Sequence, residues 1–93
     1  MEKIKVILCG ACGKMGGNVL SLLENDEEAM AVCGVDLYPK EIGIPVYQSF
    51  SEIKEKADVI IDFSSAENLQ ERLEYAKTHN LAIVLASTGF SAE

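Results

Sequence analysis

The chain has 93 residues, 48% of them apolar and 25% charged, and 8 Lys and Arg against 15 Asp and Glu leave a formal charge of −7 at pH 7. That length suits one domain with one core, and the acidic balance argues against nucleic acid, whose phosphates call for clustered cations. No apolar run approaches the ~20 residues that cross a bilayer, and a single histidine excludes a multi-histidine metal site.

Met1 to Lys5 leads straight into a strand-like segment rather than a secretory core. The three cysteines, Cys9, Cys12 and Cys33, are odd in number and scattered through apolar stretches. Reduced thiols and a cytoplasmic location are therefore expected. Lys3 to Cys9 carries the run Val6-Ile7-Leu8-Cys9 and stops at Gly10, which predicts a first strand buried on both faces. Met15, Val19, Leu22 and Leu23 then recur at helical spacing, predicting an amphipathic helix of about three turns that ends near Asn25. The acidic run Glu24 to Glu28 reads as a solvated helix end and loop.

Met30 to Asp36 is a second apolar run closed by an acid, Tyr38 to Pro45 a loop, and Val46-Tyr47 a very short third strand. Ser49 with Glu52 fits a capping box and predicts a short helix ending near Ala57. Asp58 to Asp62 is the next strand. Ser64 with Glu67 repeats the box before a helix marked by Leu69, Leu73 and Ala76, with Lys77 and His79 in its last turn and Asn80 as its left-handed close. Leu81 to Leu85 is a final buried strand, followed by Ala86-Ser87-Thr88-Gly89-Phe90.

Strands alternating with helices predict an α/β fold of the Rossmann type, a doubly wound parallel sheet in the order 3-2-1-4-5, within one domain covering residues 1–93. Ligands of such sheets sit beyond the carboxyl ends of the strands, at the switch point between the first and fourth. Gly10-Ala11-Cys12-Gly13-Lys14-Met15-Gly16 lies at that point, between strand and helix. Gly10 permits the tight turn, Gly13 a close approach of phosphate to backbone, and Gly16 close packing of the helix. Asp36, some 20 residues on, stands where a carboxylate accepts hydrogen bonds from an adenosine ribose. Asp36 repels a 2′-phosphate and Leu37 offers no cation, whereas Lys14 is within reach of one. The expected cofactor is NADH, with NADPH tolerated.

The glycine loop, Asp62-Phe63-Ser64 and Ser87-Thr88-Gly89-Phe90, in that order, resemble the cofactor-binding half of the dihydrodipicolinate reductase family. The resemblance covers essentially the whole chain. It implies hydride transfer from NAD(P)H to 4-hydroxy-tetrahydrodipicolinate on the route to diaminopimelate and lysine. It further implies that Gly10, Cys12, Gly13, Lys14, Met15 and Gly16 cradle the pyrophosphate and Asp36 holds the ribose. Phe63 and Ser64 would line the nicotinamide pocket, with Ser87, Thr88 and Gly89 beside the nicotinamide. Ala86 stands where the family usually has glycine, and Ala66 where a proline is common. The family's second domain, which brings the catalytic and substrate-binding groups, is absent from these 93 residues, so the chain reads as truncated before the substrate domain, with no catalytic residue of its own and little turnover expected.

The rival reading is a stand-alone nucleotide- or CoA-binding regulatory module. Cys9 and Cys12 have C-x-x-C spacing but read as a packed strand end and a loop residue rather than a redox pair. His79 reads as a solvated helix-end residue, and Tyr47 and Tyr75 as partly buried packing groups. The Leu81 to Leu85 strand is expected at an exposed apolar sheet edge, through which self-association into a homo-oligomer is expected.

Overall fold

The computed structural model describes residues 3–63 and 69–85. Its elements are β1 (Ile4–Cys9), α1 (Lys14–Glu24), β2 (Ala29–Val35), β3 (Val46–Tyr47), a single 3₁₀ turn (Phe50–Glu52), β4 (Val59–Asp62), α2 (Leu69–His79) and β5 (Ala82–Leu85). All pairings are parallel, and the sheet order is β3-β2-β1-β4-β5. This is the doubly wound Rossmann-type arrangement expected from the alternation of strand and helix. Right-handed crossovers put α1 on one face and α2 on the other, because the chain winds outward from β1 in opposite directions.

The central strands carry continuous apolar runs, Val6 to Cys9 in β1 and Val59 to Ile61 in β4, because both sheet faces are covered there. Val6 and Leu8 face α1 and join Ala11 and Leu20, with Val19, Leu23, Val59, Ile61 and Phe63 packed around them. Ile7 and Cys9 face the other way and join Cys33, Val35, Phe50, Ile60 and Ala76, bordered by Tyr47, Tyr75 and Ile83. Between Val6 and Ile7 the register on β2 jumps from Ala31 to Cys33. The extra residue, Val32, therefore packs with Cys33 on the α2 face, an inserted position of the kind that locally resets strand alternation.

Three expectations need correcting. Leu22 is 72% exposed: the buried stripe of α1 runs through Gly16 and Leu20, with Val19 and Leu23 beside it, and Leu22 falls outside it. On α2 the buried residues are Arg72 and Ala76, with Leu73 40% exposed; the side chain of Leu69 lies outside the described set. The capping box at Ser49 does not form either. Its hydroxyl meets Ser51 Oγ and Glu52 Oε2 instead of a backbone amide, and only one turn follows. From β3 the chain must cross β2 and β1 to reach β4, roughly 14 Å at the usual strand spacing. Eight helical residues rise only about 12 Å. The segment is extended at Ile53 (φ −67°, ψ 130°), and Ile53 and Ala57 pack on the α2 face as it crosses. The second box, Ser64 with Glu67, lies outside the described residues.

α1 ends at Glu24, and residues 24–28 are exposed. α2 closes as expected, with Lys77 and His79 in its last turn and Asn80 at φ 59°. His79 is exposed and stacks on the half-buried Tyr75, which in turn packs on Phe50. β5 is an edge strand, and Val84, opposite Ile61 on the α1 side, is 49% exposed. Among the described residues no helix is long and apolar enough to cross a membrane.

Candidate functional site

The strands finish level with one another. Cys9 pairs with Val35 on one side and Asp62 on the other, and Asp62 pairs with Leu85. The segments that leave β1, β2 and β4 therefore start from one edge of the sheet, on either side of the switch point. Gly10 turns the chain there at φ 81°, a left-handed conformation that suits glycine. Its amide donates to Val35 O at 2.7 Å, and the Phe63 amide donates to Cys9 O at 2.8 Å. These bonds carry the ladder up to the mouth.

Gly13 caps α1 in an extended conformation, with no side-chain hydrogen bond to the first amides and no acidic residue in the first turn. Such a helix start presents donors and the positive end of the dipole to an anion. Gly16 is where the loop is tightest. A Cβ there would lie 2.5 Å from Gly10 O and 2.8 Å from Ala11 O, so only glycine lets α1 begin against the end of β1. Lys14 and Met15, the first two residues of the helix, are exposed.

Asp36 follows β2 directly, and its carboxylate is engaged with the loop itself. Oδ2 accepts the Cys12 amide at 3.0 Å, and Oδ1 accepts the Tyr38 amide at 2.9 Å. The Lys40 amide donates to Cys12 Sγ at 3.2 Å. Gly10, Cys12, Gly13, Lys14, Met15, Gly16 and Asp36 are thus brought to one mouth. Phe63 adjoins it at the end of β4, half-buried on the α1 face in the cluster that holds Ala11. Ser64, Ser87, Thr88 and Gly89 lie outside the described residues.

Three contributions escaped the sequence reading. A Cβ at Gly34 would sit 2.5 Å from the Ala11 Cβ; a glycine inside a strand signals such a close approach. Arg72 is buried on α2 and pairs through Nε with Asp62 Oδ2. An acid inside the apolar β4 run was its clue, because a buried charge needs a partner. The Lys40 amide, third, has no side-chain signature at all. Cys33, on the α2 face, is fully buried. Burial first, and then the neighbouring Glu55 carboxylate, push its thiol up to about 12. Tyr47 donates to Glu55 at 2.9 Å, and its hydroxyl is likewise raised by burial and by that carboxylate.

A parallel sheet in this order, with a glycine-lined mouth at its switch point, defines a Rossmann-type α/β domain of the kind that holds nucleotides. Residues 4–93 match the family model described as "Dihydrodipicolinate reductase, N-terminus". The 4-hydroxy-tetrahydrodipicolinate reductases of Clostridium novyi (strain NT) and Caldanaerobacter subterraneus subsp. tengcongensis are each 39% identical over 90 residues. Those matches cover 96% and 97% of this chain and 36% of either relative's length. A solved structure, dipicolinate-bound dihydrodipicolinate reductase from Paenisporosarcina sp. TG-14, superposes with a TM-score of 0.79 at 24% identity, over 98% of this chain and 40% of that one. The chain belongs to the dihydrodipicolinate reductase family and corresponds to its N-terminal domain. It spans about a third of the length of the curated relatives it matches, and the family is one of oxidoreductases that use a nicotinamide cofactor.

Proposed function

We propose that this chain binds NAD(P)H across its switch point and serves as the cofactor domain of a reductase acting on 4-hydroxy-tetrahydrodipicolinate in diaminopimelate and lysine synthesis. The observation that carries this is the mouth at the end of β1. The uncapped start of α1, the left-handed Gly10 and the backbone contact at Gly16 leave the first amides of the helix where a capping side chain would otherwise stand. A bound nicotinamide would supply the hydride. The chain's own residues bind and orient: Gly10, Cys12, Gly13, Lys14, Met15 and Gly16 face the pyrophosphate, and Asp36 faces the adenosine ribose. Phe63 and Ser64, with Ser87, Thr88 and Gly89, border the nicotinamide.

NADH is the preferred form. The Asp36 carboxylate opposes a 2′-phosphate, and the residues beside it, Leu37 and Tyr38, are 62% and 77% exposed and uncharged. Lys14 allows NADPH as a weaker alternative. The odd number of cysteines, Cys9, Cys12 and Cys33, scattered through apolar stretches, supports a reducing, cytoplasmic setting.

Thermal unfolding with NADH, NADPH and CoA tests the reading. A ligand bound only by the folded state at about 100 times its Kd adds about 2.7 kcal/mol, which for a chain of this size raises Tm by roughly 10 °C or more. NADH is expected to give that rise, NADPH a smaller one and CoA none. A rise with CoA alone would favour the regulatory-module reading and end this one.

A further inference from the structure

An acid at the end of the second strand is expected to serve the ribose, yet in this chain its carboxylate already holds the phosphate loop. Asp36 Oδ2 takes the Cys12 amide from the middle of the glycine loop, and Oδ1 takes the Tyr38 amide of its own turn. The two segments are joined a second time where the Lys40 amide donates to Cys12 Sγ at 3.2 Å. Behind them, the Gly34 Cα leaves room for the Ala11 methyl, so the loop is held against β2 from below as well as from the side. A carboxylate offers about four acceptor sites. Two are taken by amides, and two remain for the hydroxyls of a ribose.

We propose that Asp36 is a positioning residue for the pyrophosphate loop as well as a sugar ligand, through the Cys12 amide it holds, so that the phosphate and ribose ends of the mouth are set as one unit. This rests on the dinucleotide reading above. The Asp36→Asn change isolates the effect. An amide side chain has one oxygen where the carboxylate has two, and that oxygen is uncharged, so in either orientation the Cys12 N–H loses its charge-assisted bond and the loop anchor is weakened while side-chain shape is kept.

Two measurements on the chain decide it. The first is hydrogen exchange at the Cys12 amide, resolved by NMR without ligand. Protection is expected in the native chain, with exchange about tenfold faster or more in Asp36→Asn; an unprotected native Cys12 amide overturns the proposal even if the variant fails to fold. The second compares NADH with an NADH analogue lacking both adenosine ribose hydroxyls. Asp36→Asn is expected to weaken the analogue about fivefold or more, although the analogue has no hydroxyl for the carboxylate to bind. Unchanged affinity for the analogue, with weakened NADH, would make Asp36 a sugar ligand alone and overturn the proposal, as would a native chain that takes NADH but not the analogue. A native chain that takes neither nucleotide would end the dinucleotide reading instead, and the exchange of Cys12 would still decide the anchor.

Discussion

The two faces of the sheet are closed by opposite means. On the α1 side the chain removes side chains. Gly16 meets the backbone of Gly10 and Ala11, Gly34 meets the Ala11 methyl, and the buried residues beneath, Val6, Leu8, Ala11 and Leu20, are aliphatic. On the α2 side it inserts large and ionisable groups: the Phe50 and Tyr75 rings with centroids 5.0 Å apart, the Cys33 thiol beside Glu55, and the buried Asp62 and Arg72 pair. A ligand recognised by amides needs bare backbone, and bare backbone needs positions where a Cβ would collide. A face that only supports that mouth is free to use side chains, and their chemistry then sets how the fold responds to mutation and pH.

The largest expected effect belongs to the α2 face. Arg72 is 4% exposed and Asp62 1%, so Arg72→Ala leaves a buried carboxylate without its guanidinium and is expected to cost about 3–5 kcal/mol in urea unfolding. The double variant Asp62→Val with Arg72→Met should recover most of that, because apolar groups of similar volume commonly match a buried ion pair. If the double variant were as unstable as Arg72→Ala, the loss would come from packing and not from charge.

Next in size is the glycine side. Gly16→Ala forces a methyl to within 2.5 Å of Gly10 O and is expected to cost about 1–3 kcal/mol, with weaker NADH binding as the loop shifts. Gly17→Ala is the matched control one residue along the same helix. Nothing lies within 4 Å of its added Cβ, so it should gain up to about 1 kcal/mol from helix propensity. Gly34→Ala is expected to destabilise through the Ala11 methyl, and Ala11→Gly in the same chain should relieve part of the loss. Equal effects at positions 16 and 17 would show that helix propensity, not backbone contact, governs this loop.

What could be read from the sequence divides along the same line. The continuous apolar runs at Val6–Cys9 and Val59–Ile61 mark strands covered on both sides, and the glycines mark the mouth, because close backbone contact restricts residue type at the very position it concerns. Contacts that depend on a distant partner leave no such mark. Arg72 looks like any surface cation on an amphipathic helix until Asp62 is placed beneath it. Leu22 and Leu73 satisfy helical spacing, yet they lie on flanks that the sheet does not cover. The Ser49 and Glu52 pair has the letters of a cap, but the chain has to travel across two strands, and that demand overrides the local signal.

The smallest effect isolates the α2 face by pH. Burial and the neighbouring Glu55 raise Cys33 from its ordinary 9.0 to about 12. Above pH 9 the thiol of the unfolded chain ionises while that of the folded chain keeps its proton. The unfolded state then binds fewer protons, and stability falls as pH rises. The contribution is complete below pH 9 and is lost between about 9 and 12, which amounts to about 1.4 kcal/mol at pH 10. Tyr75, raised by burial and by Cys33 and Glu55, acts in the same direction at higher pH. The buried core of the α1 face, Val6, Leu8, Ala11 and Leu20, has no ionisable group, so an alkaline slope reports the other side of the sheet. Urea unfolding at pH 8, 9 and 10 is expected to show the native chain losing stability and Cys33→Ala holding a flatter course. Parallel curves for the two would mean that Cys33 is not shielded beneath α2 and that the two faces differ less than their side chains suggest.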